Sequence, residues 1–184
     1  MNRTESRTVN RASRRPLSPP LLISVTALTV AFTFALPLLF HLLPSPGIPL
    51  GARLLPIFYA PLLAAHFFPP VVAFVGGAVA PFVNHAVTGN PPLPLAAQLS
   101  AELLVFVGVL LLLRRRWPQF ALSAPLAYLA ARVVVFFAQQ PAALISSDAW
   151  GGLFASLQVA LPGLGALLVL DLVARSKHTW GKDV

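Results

Sequence analysis

Apolar positions in this chain run on rather than alternate, and short polar stretches punctuate them. Six apolar segments can be drawn, at about residues 20–43, 50–68, 70–87, 93–113, 120–138 and 152–173. Each approaches the roughly 20 residues that a tilted membrane-spanning helix needs. The second and third are short and joined only by Phe68-Pro69-Pro70, so their boundary is the least sharply drawn. Pro37, Pro56, Pro61, Gly76, Gly77, Pro81, Pro125 and Pro162 fall inside the segments. Neighbouring membrane helices re-satisfy the backbone groups that such residues free, so the pattern predicts kinks and not breaks. The predicted fold is all-α, with six transmembrane helices over residues 19–174. A basic tail over 1–18 precedes them and a short tail over 175–184 follows.

Composition agrees with that reading. The chain is 57% hydrophobic and 10% charged, with mean hydropathy +0.80, more apolar surface than a soluble domain of this size can hide. It contains no cysteine, which excludes disulfides, thiolate metal sites and cysteine nucleophiles. The net charge of +8 does not form a nucleic-acid reading surface, so no nucleic acid is expected as a partner. Its basic residues gather in three places instead. Arg3, Arg7, Arg11, Arg14 and Arg15 lie at the start; Arg114, Arg115 and Arg116 follow the fourth segment; Arg175, Lys177 and Lys182 lie at the end. With six spans all three fall on one side, and the positive-inside rule makes that side cytoplasmic. Both termini are then expected inside, and the opposite loops carry only Arg53. Ser13-Arg14-Arg15-Pro16-Leu17 faintly resembles a twin-arginine export signal. The apolar run after it is too long for a cleaved signal, so a retained first helix is expected.

Depth then sorts the polar residues. Asn84 and His85 fall at the outer end of the third helix, and Asn90 in the turn that follows. Gln98 and Glu102 share a face of the fourth, at i,i+4 spacing. Tyr128 and Arg132 share a face of the fifth; Gln139, Gln140 and Trp150 fall in the outer loop beyond it; Gln158 lies in the outer half of the sixth. His41 and Arg53 flank the first outer loop. The inner half holds little beyond His66 and Asp171. Such asymmetry argues against a continuous pore or proton relay and for a cavity open to the outside.

In that cavity the guanidinium of Arg132 suits a ligand carboxylate, and Glu102, Gln98 and Asn84 suit hydroxyl or amide groups. Each residue has a second reading. Arg132 and Glu102 equally suit a structural ion pair, His85 a helix cap, Gln139 and Gln140 a solvated loop, and Trp150 an interfacial anchor. Ala27, Ala31 and Ala35 recur every fourth residue on the first helix, a small-residue stripe that lets another helix approach closely.

Several of these stretches carry a resemblance. Ala31-Phe32-Thr33-Phe34-Ala35, Leu36 to Leu42, Leu55 to Ala60, Gly76-Gly77, and Thr88-Gly89-Asn90-Pro91-Pro92-Leu93-Pro94 with Glu102-Leu103 after it look like the substrate-binding S component of energy-coupling factor (ECF) transporters. The hairpin match is the most specific. It is similar to a threonine-glycine-x-proline-proline pattern of one branch, associated with pantothenate. The sequence departs from that pattern at Asn84-His85.

The resemblance implies a plasma-membrane protein of a prokaryote that captures a vitamin-like molecule from outside. It would dock through Ala31 and Ala35, with Ala27 added by spacing, onto a transmembrane T subunit driven by two ATP-binding subunits. The chain has no Gly-x-x-x-x-Gly-Lys-Ser/Thr loop of its own. The implied substrate-binding residues are Asn84, His85, Asn90, Gln98, Glu102, Tyr128, Arg132, Gln139 and Gln158. No cofactor or metal site is expected, and cobalt or nickel is disfavoured as the ligand, because His41 and His85 are not accompanied by a characteristic N-terminal metal-binding sequence.

Two other classes remain. Ser100 lies near Glu102, but no Gly-x-Ser-x-Gly setting surrounds it, and the histidines sit at the segment edges, so no enzyme is expected. A scaffolding membrane protein accounts for the alanine stripe but not for the outer polar residues.

Overall fold

The structure is a computed structural model that describes residues 17–45, 47–140 and 147–180. It is all-helical, 84% helix, with no strand among the described residues. Residues 1–16, 46, 141–146 and 181–184 lie outside that description, and with them most of the expected basic N-terminal tail and part of the short C-terminal one. Eight helices follow in order: α1 Pro19–His41, α2 Leu50–Leu54, α3 Tyr59–Phe67, α4 Pro70–Thr88, α5 Leu93–Arg116, α6 Ser123–Gln139, α7 Ser147–Val159 and α8 Leu161–Trp180. A 3-10 turn, Pro56–Phe58, joins α2 to α3.

Helices α1, α4 and α5 are each long and apolar enough to cross a membrane; α7 and α8 make a fourth span if their bent pair counts as one. The remaining segments depart from the drawn pattern for local reasons. Segment 50–68 is broken at Leu55, whose backbone is left-handed (φ 57°, ψ 40°), directly before Pro56. Proline disfavours the helical region for the residue before it and removes a donor, so the helix stops there instead of kinking. The Tyr59 hydroxyl donates to the carbonyl of Leu54, satisfying an acceptor freed by the break. The sixth segment is likewise broken, with a 56° bend between α7 and α8 around Ala160, where Pro162 sits in the first turn of α8. By contrast, Pro37 and Pro81 lie inside continuous helices, as expected of kink sites. Trp150, placed in a loop by the sequence, belongs to α7 and packs on Phe137 of α6 at a centroid distance of 4.8 Å.

Packing centres on α3. It touches α1, α4, α5 and α8, and Ala60, Pro61, Leu62, Ala64, Ala65 and His66 are all buried. Burial of this broken segment follows from its own backbone, since irregular structure at membrane depth is tolerated only inside protein. Phe58 completes the centre, with its ring edge-to-face against Phe106 at 5.0 Å and Tyr128 at 5.2 Å. On α1 the faces divide: Thr29 and Thr33 are buried, whereas Ala27 and Ala31 are exposed and Ala35 is half-buried. Thr29 meets α4 at Gly76, where a Cβ would lie 2.5 Å from the threonine Cγ2.

One glycine holds the break in place. A Cβ at Gly163 of α8 would sit 2.6 Å from Leu55 Cγ and 2.8 Å from the Arg53 carbonyl oxygen. Left-handed backbone at a leucine is strained, and the bare α8 backbone leaves room for it. Gly163→Ala is therefore expected to destabilise the protein by about 1–3 kcal/mol. Gly165→Ala, with nothing within 4 Å of the added Cβ, should not. Thermal unfolding of both variants in detergent checks the contrast, and equal effects would refute the fit.

Candidate functional site

Helix α4 ends because Gly89 adopts φ 72° and returns its N–H to the His85 carbonyl at 2.8 Å, a left-handed cap that suits glycine. The hairpin beyond it is stitched by Thr88. Its hydroxyl lies 2.8 Å from the Asn84 carbonyl, 3.1 Å from Asn84 Oδ1 and 2.7 Å from the Asn90 carbonyl, and accepts from the Asn90 N–H at 3.1 Å. His85 donates through Nδ1 to the Pro91 carbonyl at 2.9 Å, which ties the helix end to the start of α5.

Beside this hairpin opens a cleft of about 600 Å³, lined by Asn84, Thr88, Asn90, Pro91, His41 and leucines of α1 and α5, among others. Its polar lining is amide, hydroxyl and imidazole, and among the described residues no carboxylate or guanidinium lines it. Of the residues proposed from the sequence, the cleft brings together Asn84 and Asn90. It adds Thr88 and His41, which the sequence-based set omitted.

The other proposed residues lie elsewhere. Glu102 is buried between α5 and α6, where its Oε1 accepts from Arg132 at 2.6 Å and from Gln98 at 3.0 Å. Arg132 and Glu102 thus pair with each other, and the Arg132 side chain is 24% exposed. Tyr128 sits one turn from Arg132, in the aromatic trio with Phe58 and Phe106. Gln158 lines a separate cleft of about 440 Å³, together with Arg53. Gln139 is exposed at the last position of α6.

The opposite end of the bundle holds His66 and Asp171, the two polar residues the sequence placed in the inner half, and joins them in a network. Asp171 of α8 is fully buried and accepts from three side chains on three helices. His66 Nε2 lies 2.6 Å from Oδ1; Ser123 Oγ and Arg175 donate to Oδ2 at 2.8 and 2.9 Å. Arg175 also donates to Ser123 Oγ and, at 2.7 Å, to the Pro118 carbonyl. Arg114 donates to the Ala65 carbonyl at 2.8 Å. Hydropathy reading missed this network because its members are scattered over four helices. The i,i+4 spacing of Asp171 and Arg175 was the one legible signal.

Ser123, His66 and Asp171 resemble hydrolase chemistry in composition but not in order. The carboxylate bridges serine and histidine, so no imidazole is hydrogen-bonded to the hydroxyl as a base must be. Nine residues of α6, about 13 Å at about 1.5 Å each, separate Ser123 from Arg132, and the aromatic trio fills the space between the two polar ends. No group of histidine, aspartate and glutamate able to hold a metal ion occurs among the described residues.

No family model, no curated protein and no solved structure matches this chain.

A buried carboxylate with three donors is expected to dominate local stability. Asp171→Ala strands the Arg175 charge and the His66 donor, at a cost of about 3–5 kcal/mol. Ser123→Ala removes one hydrogen bond, at about 1 kcal/mol. Denaturation of the two variants in detergent measures the difference; near-equal losses would rule out Asp171 as the hub.

Proposed function

We propose that this chain is the membrane-embedded substrate-binding subunit of an ECF-type transporter, taking up a small polar vitamin-like molecule from outside the cell. The observation that carries the reading is the cleft of about 600 Å³ beside the hairpin at the polar end of the bundle. A pocket of that size, mostly apolar with a few convergent polar groups, suits a small ligand. Asn84, Thr88 and Asn90 would read hydroxyl and amide groups, and His41 would close the α1 side.

A pantothenate-like carboxylate remains the favoured feature of the ligand, with Arg132 as its partner. That pairing requires Arg132 to exchange Glu102 for the ligand, drawing Gln98 and Glu102 into the site. His85, Gln139 and Gln158 then take supporting positions around the outer end, with Tyr128 one turn below Arg132 as the floor. Six spans with both termini cytoplasmic, in a prokaryotic plasma membrane, complete the proposal. Its basis is the charge distribution along the chain.

Coupling to a T subunit and its two ATP-binding subunits would use Ala27, Ala31 and Ala35. Support comes from the division of α1, whose threonine face is buried against α4 while Ala27 and Ala31 remain exposed. A second reading, a scaffolding membrane protein, draws on the hairpin itself, where Thr88 already bonds to Asn84 and Asn90, and His85 to the Pro91 carbonyl.

Binding and uptake separate these readings. The purified protein should bind one member of a panel of radiolabelled water-soluble vitamins, with Asn84→Ala weakening it about tenfold through lost hydrogen bonds. In cells that also express a T subunit and ATPases, Ala31→Leu should leave binding intact and abolish uptake. Absence of binding across the panel favours the scaffold.

A further inference from the structure

The arginine-rich end of the bundle carries a second, unrelated concavity. A pocket of about 310 Å³ opens between the ends of α3, α5 and α8, lined by Arg114, Arg115, Arg175, His66, Phe68 and Pro118 among others. Three guanidinium groups line it, and the Asp171 carboxylate accepts from one of them, Arg175. Two buried nitrogens here have no hydrogen-bond partner, His66 Nδ1 and Arg175 Nε. The His66 side chain is completely buried, with its other nitrogen committed to Asp171. Arg115 is exposed, and among the described residues neither a hydrogen bond nor an ion pair engages it. This arrangement is complementary to a phosphate.

Phe68 also borders a different space. An apolar groove of about 250 Å³ runs between α1 and α3, lined by Val25, Leu28, Phe32 and Leu36 on one side and by Ala60 and Leu63 on the other. It ends at Phe68, the residue it shares with the basic pocket. From Val25 to Leu36 the groove follows α1 for about 16 Å at about 1.5 Å per residue. That is about half of the roughly 30 Å hydrocarbon core, the depth of one leaflet. A free phosphate would use the pocket and leave the groove empty. A molecule with a phosphate at one end and an alkyl chain at the other fills both.

The geometry points to a binding site for an anionic phospholipid, its phosphate held among Arg114, Arg115 and Arg175 and one acyl chain laid along the α1–α3 groove. The site lies at the opposite end from the ligand cleft and does not depend on it. Basic pockets between membrane helices commonly take anionic headgroups. Here the groove adds a reason for the whole lipid to be retained.

The full chain, purified and delipidated in a neutral detergent, is titrated with phosphatidylglycerol, phosphatidylcholine, glycerol phosphate or inorganic phosphate. Thermal unfolding and native mass spectrometry provide the readouts. Phosphatidylglycerol should raise the unfolding temperature and remain bound one per chain at concentrations where phosphatidylcholine does not. Glycerol phosphate and inorganic phosphate should have little effect. Arg115→Gln, at an exposed position that leaves the fold intact, should raise the phosphatidylglycerol midpoint about fivefold; Arg114→Gln combined with it should raise the midpoint further. Equal midpoints for the two lipids, or an unchanged midpoint in both variants, would overturn the site. A shift produced in full by inorganic phosphate would overturn the lipid as its occupant.

Discussion

A carboxylate sealed inside an apolar bundle must find its donors there, and Asp171 sets the register of the helices that supply them. Without partners, a buried charge of this kind costs several kcal/mol. Here His66 comes from α3, Ser123 from α6 and Arg175 from one turn further along α8. Sliding any of those helices by one residue turns its side chain away. The same contact fixes the end of α3, and α3 is the element around which α1, α4, α5 and α8 gather. Two features at opposite ends follow from that placement. The basic pocket forms where α3 stops, and the left-handed Leu55 is held where its segment starts.

The long helices were legible because lipid imposes a simple rule, a continuous apolar run with every backbone group bonded inside it. Helices α1, α4 and α5 follow the drawn segments closely. Segments 50–68 and 152–173 do not, because Pro56 and Pro162 end a helix where Pro37 and Pro81 only sit within one. Proline is common to both cases, so its presence alone does not tell them apart. At Leu55 the break is accommodated by Gly163, whose missing side chain makes room from a residue more than a hundred positions away.

Site residues were legible in kind more than in grouping. Depth assignment put Asn84, Glu102, Arg132 and Gln158 at one end, but depth carries no information about which face of a helix meets which neighbour. The structure separates them into a hairpin cleft, an interhelical ion pair and a cleft beside Arg53. Thr88 was passed over because a hydroxyl at a helix end reads as ordinary. Its three short contacts make it the clasp of the hairpin. The alanine stripe of α1 was legible, and its counterpart is a buried threonine face. Thr29 and Thr33 bond to carbonyls one turn back on their own helix, and Thr29 meets α4, leaving Ala27 and Ala31 outward.

The Asp171 contact also bears on how the chain enters the membrane during synthesis. Asp171 lies near the end of the last apolar segment, 152–173. There an aspartate costs less than the roughly 3 kcal/mol it costs at a helix centre but still weakens partitioning from the translocon. Arg175 on the same helix offsets part of that cost, but His66 and Ser123 belong to segments made earlier. The last segment can be apolar enough to enter the membrane and still be incomplete there, because the hydrogen bonds of its aspartate are filled only where α3 and α6, made earlier, meet α8.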